Sequence, residues 1–238
     1  MSEPTVQWET MRIDENAPKR APSLADQTYA TLKRWVVSGE LEPGSVLSEN
    51  DLARRFSISR SPLREAIRRL QDEGLLDVSG PRGFTVPALS VELVRQVYTV
   101  RRALEVAAAE NATRIPAGEL AAMRERMDRI GEAIAAGDLE PFNVADFDFH
   151  DLFVLNCGNP LLVNHIHRLR GHIQRIINWA GQFHEHTELA YKEHRAMLEA
   201  MEAGDTRAMG EAVDTHIRNV MDRLIDKLGP SGQAETTD

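Results

Sequence analysis

Apolar residues recur at helical spacing along nearly all of this chain, but the spacing is interrupted once by a short alternating stretch. Leu24, Tyr29, Leu32, Trp35 and Val36 fall on one face of a helix predicted over 24–37. Ser38-Gly39-Glu40 ends it, and Glu42-Pro43-Gly44-Ser45 reads as a turn. Ser48-Glu49-Asn50-Asp51 has capping-box spacing and opens a second helix, with Leu52, Ala53 and Phe56 inward. A turn around Ile58 leads to a third helix, capped by Ser59 or Ser61, in which Leu63, Ile67 and Leu70 form an i, i+4, i+7 stripe. Asp72-Glu73-Gly74 closes it. Leu75–Val78 and Phe84–Val86 then read as two short strands joined by Ser79–Gly83. Beyond Pro87 every periodic stretch is helical, over 90–113, 117–136, 141–157, 160–183, 187–203 and 205–228. The breaks fall at Pro116, Gly137-Asp138, Gly158-Asn159-Pro160, near Glu185, and at Gly204-Asp205. The pattern predicts a mainly α protein: a flexible arm over 1–22, a winged helix-turn-helix with a small β-wing over 23–87, an all-α bundle over 90–229, and a flexible tail over 230–238.

Composition changes this picture little; charge distribution changes it more. The 238 residues are 42% hydrophobic and 27% charged, as in ordinary globular proteins. No apolar run approaches the roughly 20 residues that span a bilayer, so no membrane partner is expected. The first residues lack a secretory pattern, and a single cysteine, Cys157, allows no internal disulfide. A reducing, cytoplasmic setting is therefore expected, with Cys157 packed as a small hydrophobe. A net charge of −9 argues against nucleic acid until it is mapped. Residues 54–69 hold six arginines against one acid, Glu65, whereas 16 basic and 24 acidic residues follow position 86. One segment alone is suited to face a polyanion.

That segment is the third helix. Arg60, Arg64 and Arg68 are four apart and lie beside the apolar stripe, on the exposed side. A helix of this kind enters a major groove by its N-terminal turns, where an arginine fork can bond guanine O6 and N7. Arg60 and Arg64 are the expected base or phosphate contacts. Ser59 and Ser61 sit at the helix N-terminus beside a phosphate, and Arg82 and Gly83 at the turn of the wing. The run PGSVLSENDLARRFSISRSPLREAIRRLQDEGLL, followed by RGFTV, resembles the DNA-binding domain of GntR-family repressors over roughly residues 24–87. Many relatives carry a basic residue where this chain has Asn50, so a DNA contact there would depend less on salt. One recognition helix reads few base pairs. A homodimer on a palindromic double-stranded operator is therefore expected.

Eight histidines prompt a search for metal-ligand spacing. Asp146 and His150 are four apart on one predicted helix, and His194 and His216 lie on two later ones. Facing helices of a bundle can bring such residues together. An Asp and three imidazoles suit a divalent ion, Zn²⁺ first and Ni²⁺, Mn²⁺ or Co²⁺ after it. From spacing alone the signal is weak, and four satisfied surface or core residues are the readier reading. Asp146-Phe147-Asp148-Phe149-His150, Glu193-His194-Arg195-Ala196-Met197-Leu198, Asp214-Thr215-His216 and Val100-Arg101-Arg102-Ala103-Leu104-Glu105 resemble the FCD class of GntR regulators over about 90–228. The resemblance implies an FCD-type bundle, metal ligation by Asp146, His150, His194 and His216, and, from six helices, the shorter VanR-like branch. It also implies a small carboxylate or sugar-acid effector. Arg101 is the candidate to hold it bidentately, unless its guanidinium is taken up by Glu105. His165, His167, His172, His184 and His186 fall outside the implied ligand set and read as surface or packing residues, although His172 could also line a pocket. The function expected is thus ligand-responsive regulation of transcription, a repressor first. A regulator of the metal itself is the alternative. A metalloenzyme is disfavoured, because no general base is identifiable beside the ligands.

Overall fold

A computed structural model describes residues 21–80, 83–112, 114–180 and 184–229. Most of the expected arm, Arg82 at the wing tip, and the expected tail lie outside the described residues. Helix α1 (Leu24–Ser38) starts at Ser23, whose hydroxyl accepts from the Asp26 amide while the Asp26 carboxylate accepts from the Ser23 backbone. The reciprocal bonds satisfy amides that a helix leaves without partners. Strand β1 (Val46–Ser48) follows, then α2 (Glu49–Phe56) and α3 (Arg60–Asp72). Ser48 caps α2 through the Asp51 amide. Ser57, at φ 53°, turns the chain from α2 toward α3. Leu32, Val36, Leu52, Leu63, Ile67, Leu70, Leu76 and Phe84 close into one core, so the apolar stripe of α3 is consumed by packing and its arginines stay outside.

The wing departs from expectation in two ways. It is a three-stranded antiparallel sheet, ordered β1-β3-β2, with β2 at Asp77–Ser79 and β3 at Gly83–Thr85. Leu47 and Val78 both pair with Phe84 of the central strand. Strand β1 carries no alternation that could announce it, since Val46 is 68% exposed and only three residues pair. Leu75 and Leu76, expected in a strand, are buried, and both their amides bond the Leu70 carbonyl. They close α3 into its core, and pairing begins only at Asp77.

Six helices follow among the described residues: α4 (Val91–Asn111), α5 (Ala117–Ala135), α6 (Glu140–Val154), α7 (Pro160–Ala180), α8 (His184–Ala203) and α9 (Thr206–Leu228). Ser90 and Asp205 cap α4 and α9 through the amides of Leu93 and Ala208. Helix α6 ends at Val154, three residues short of the expected 157, where Leu155 and Asn156 turn the chain. The break expected near Glu185 falls just before it, since α7 ends at Ala180 and Glu185 already lies in the first turn of α8. Helix α4 packs along α9, α8 on α9, and α6 against α4, α7 and α8. Phe149, Phe153, Met127 and Met197 are fully buried between them. Burial of each such side chain contributes roughly 1.5–3 kcal/mol. No described helix is long and apolar enough to cross a membrane.

Candidate functional site

On the outer face of α3, Arg60, Ser61, Arg64 and Arg68 are all exposed, as are Ser59 just before it and Asn50 on α2. Ser59 occupies the N-cap, yet its side chain makes no capping bond. The amides of this first turn carry the positive end of the helix dipole. Arg60 and Arg68 have no ion-pair partner among the described residues, whereas Arg64 Nε bonds Glu49 Oε2 at 2.8 Å. Arg69 is turned away, over the Tyr29 ring at 4.0 Å and onto Asp26. Gly83 opens β3 between β1 and β2. A Cβ there would come within 3.0 Å of the Ser79 carbonyl oxygen, so the sheet itself demands this glycine.

In the bundle, Asp146 and His150 of α6, His194 of α8 and His216 of α9 converge and are all buried. His194 Nε2 lies 3.2 Å from His150 Nε2, 3.4 Å from His216 Nε2 and 3.7 Å from Asp146 Oδ1. His150, His194 and His216 each offer a nitrogen within 4.8 Å of the other two. Phe149 stacks on the His194 ring with centroids 4.2 Å apart, which fixes the plane of that imidazole.

Two carboxylates behind the histidines decide which nitrogen faces inward. Glu105 Oε2 is 2.6 Å from His150 Nδ1, and Glu193 Oε2 is 2.8 Å from His216 Nδ1. Ionised carboxylates only accept, so both rings donate from Nδ1 and present an Nε2 lone pair. Arg223 and Asn219 hold Glu193 in turn, and Arg101 holds Glu105. Although burial pushes both carboxyls upward, their cationic partners win and hold each at about 2. Burial, with the neighbouring rings, lowers His194 and His216, so these imidazoles are neutral near pH 7. His194 Nε2 can donate to only one of the two lone pairs it faces. Asp146 Oδ2 is buried without a hydrogen-bond partner among the described residues. Around a tetrahedral Zn²⁺ with Zn–N of about 2.0–2.1 Å, neighbouring nitrogens sit roughly 3.3 Å apart. The three imidazole nitrogens, in this protonation and spacing, fit a divalent cation, and Asp146 stands beside them at 3.7 Å from His194.

Arg101 is buried beside this cluster. Its Nε bonds Glu105 Oε1 at 2.7 Å, the pairing the sequence held open, and a terminal nitrogen lies 3.1 Å from His150 Nε2. An adjoining cleft is lined by Tyr98, Arg101, Asp146, His186 and His216, with Ile177 of α7 and Ala190 of α8 as apolar walls. Its enclosed volume is about 20 Å³, room for little more than one water, so a larger ligand requires the cleft to widen. Tyr98 Oη and His186 Nδ1 face no hydrogen-bond partner among the described residues. Sequence reasoning assigned no role at the site to Glu105, Glu193, Tyr98 or His186. The visible signals were the adjacency of Glu193 to His194 and the i+4 spacing of Glu105 from Arg101. Cys157 is buried, as expected.

Burial, then repulsion from Arg223 and His216, lowers His186 to about 4 from 6.5. The unfolded chain takes up protons below pH 6.5 that the folded protein refuses at His186 until about pH 4, and His194, lowered well below its ordinary value by burial, acts in the same direction. Folding stability is therefore expected to be full above pH 6.5 and to decline steadily as the pH falls toward 4. Urea midpoints of the chelator-treated protein between pH 7 and 4 measure this. A flat profile would mean that these rings are hydrated and protonate freely.

Comparison with known proteins finds two family matches along the chain. Residues 24–86 match the family described as "Bacterial regulatory proteins, gntR family", and residues 96–219 match the FCD domain. The HTH-type transcriptional regulator YdhC of Bacillus subtilis is 30% identical over 203 residues, covering 83% of this chain and 89% of that protein. The HTH-type transcriptional repressor RspR of Escherichia coli is 27% identical over 199 residues, covering 83% and 87%. Among solved structures, E. coli McbR/YncC superposes with a TM-score of 0.70 at 22% identity, over 87% of this chain and 99% of that one.

Proposed function

The chain belongs to the GntR family of bacterial regulatory proteins, as a DNA-binding transcriptional regulator with an FCD domain, and from this premise we propose that a divalent metal in its helical half helps a small organic acid control operator binding. The observation that carries the reading is the convergence of His150, His194 and His216 on one point, with Asp146 Oδ1 3.7 Å from His194 Nε2 as the candidate fourth ligand. Zinc is the metal that best suits three imidazoles and a carboxylate, with nickel, manganese and cobalt as alternatives. When bound, the ion supplies positive charge and an open coordination position to an anionic ligand. This chain's own residues do the rest. Glu105 and Glu193 orient His150 and His216, Phe149 fixes His194, and Arg101, already bound to Glu105 through Nε, turns its remaining N–H groups to the far side of a carboxylate or sugar acid. Tyr98 and His186 give its remaining oxygens hydrogen-bond partners.

The protein acts as a homodimeric repressor on a palindromic site in the cytoplasm, with Arg60, Ser61 and Arg64 reaching the major groove. Arg68, Ser59, Asn50, Arg82 and Gly83 lie around the backbone. Its six-helix sensor belongs to the VanR-like branch and senses rather than catalyses. An effector can change DNA binding only by its differential affinity for two arrangements of the DNA-reading halves. The test is elemental analysis of the purified protein, followed by titration of an operator selected from random duplexes, with zinc alone and with zinc plus a panel of carboxylates. One ion per chain and a carboxylate-dependent shift in affinity are expected. A full shift with zinc alone would make the ion the effector. No stoichiometric metal, even after reconstitution, would overturn the reading.

A further inference from the structure

Three side chains of α7 reach across to the DNA-reading half, and each meets a main-chain carbonyl. His172 Nε2 donates to the Glu73 carbonyl at 2.8 Å, and Asn178 Nδ2 donates to the Val37 carbonyl at 2.9 Å. Arg175, between them, donates to the carbonyl of Pro87. Positions 172, 175 and 178 are three apart and share one face of the helix. Two of the acceptors are where a helix has carbonyls to spare: Val37 is in the last turn of α1, and Glu73 is the C-cap of α3. Glu73 is a node, because its side chain also accepts from Tyr29 and Lys33 of α1. Gln174 donates to Asn178 Oδ1 at 2.8 Å, which turns the amide N–H₂ toward Val37.

The contact is close as well as polar. A Cβ on Gly171 would come within 2.8 Å of Leu75 Cδ1, so α7 lies against the end of the recognition helix closely enough that a side chain there would displace Leu75. Arg175 is buried, and burial lowers its pKa against a single opposing charge, Asp77 of β2. Ile177 and Ala180 of the same helix line the cleft beside the buried histidines. One helix therefore touches the candidate sensing site with one face and the recognition helix with another.

We propose that His172, Arg175 and Asn178 are positioning residues that hold α3 at a fixed orientation to the helical bundle, and that α7 sets the separation of the two recognition helices in the dimer. Specific side chains on main-chain acceptors suit this role. They fix position through direction, because a hydrogen bond weakens steeply when its angle departs from linear. The separation part of the inference rests on the dimeric reading above; the clamp itself does not.

The test compares full-length wild type with His172→Phe/Asn178→Ala, which keeps a ring at one position and removes both donors. Native-state hydrogen exchange at Gly74, Leu75 and Leu76, whose amides bond the last carbonyls of α3, is expected to speed up about tenfold, the weight of one hydrogen bond. Amides of α4 and α9 should stay unchanged. Selection from a random duplex library should return the same half-site for both proteins, at one spacing for wild type and at several for the variant. His172→Gln, which retains a side-chain N–H, should restore the single spacing when Asn178 is intact. Unchanged exchange in the double variant would overturn the clamp. Unchanged spacing with faster exchange would overturn its control of separation. If wild type itself selects a single half-site, the dimeric reading falls, the separation claim falls with it, and exchange alone decides the clamp. Should the double variant fail to fold, His172→Phe alone carries the exchange comparison at the end of α3.

Discussion

Purified His194→Ala protein is expected to contain no stoichiometric metal and to bind its operator with or without a carboxylate equally well. His194 Nε2 lies within 3.7 Å of a donor atom from each of the other three proposed ligands, so its loss removes the centre of the set. The remaining three come from α6 and α9 only, and nothing then ties α8 to the ion. Alanine also leaves a void against Phe149 and Phe142, a packing loss separable from the loss of metal. Glu193→Gln provides that separation. It leaves all four ligands and the bulk of the side chain in place but removes the charge that orders His216 through its Nδ1. Metal affinity is expected to fall by about 10–100-fold in this variant. Metal-dependent stabilisation should vanish in His194→Ala, where wild type at a hundredfold excess over its dissociation constant gains about 2.7 kcal/mol. Competition with a chromophoric chelator and melting with and without zinc read out both variants. Zinc bound to His194→Ala with wild-type affinity would show that the cluster is an ordinary polar core.

The parts of this molecule legible in its sequence are those in which one element carries its own signal. Leu63, Ile67 and Leu70 against Arg60, Arg64 and Arg68 describe α3 completely, inside and outside, because a helix sorts its faces by local spacing. Strand β1 has no such signal. Val46 to Ser48 pair because Phe84 and its neighbours come back to meet them, a partner nearly forty positions away. The buried histidines were reachable through resemblance, but their supporting carboxylates were not. Glu105 showed only its i+4 relation to Arg101, and its second oxygen goes to His150 across the bundle. His186 and His172 looked alike in sequence, as histidines outside the ligand pattern. In the fold, one lines the cleft and the other holds the end of α3, a difference made entirely by which helix packs opposite.

Operator binding is expected to weaken markedly in Arg60→Ala and further in Arg64→Ala, with the fold intact in both. Each arginine is exposed on the outer face of α3, and neither packs in the core that Leu63, Ile67 and Leu70 build. Loss of a bidentate base contact costs about 1–3 kcal/mol and relaxes preference at that base pair. Loss of a phosphate contact weakens all sequences alike and lowers the salt slope by about one. Salt-dependent titration of each variant on selected and scrambled duplexes therefore tells which contact each residue makes. The two should differ for a reason visible in the free protein. Arg64 is paired with Glu49, whose side chain is only 24% exposed, so removing Arg64 uncovers a carboxylate beside the phosphates as well as deleting a cation. Glu49→Gln in the wild-type background should accordingly tighten binding slightly, by freeing Arg64 from an exposed pair that contributes about 0.2–1 kcal/mol at most. In the Arg64→Ala background the same change should recover part of the lost affinity. Wild-type affinity and wild-type salt dependence in both arginine variants would mean that α3 presents a different face to DNA.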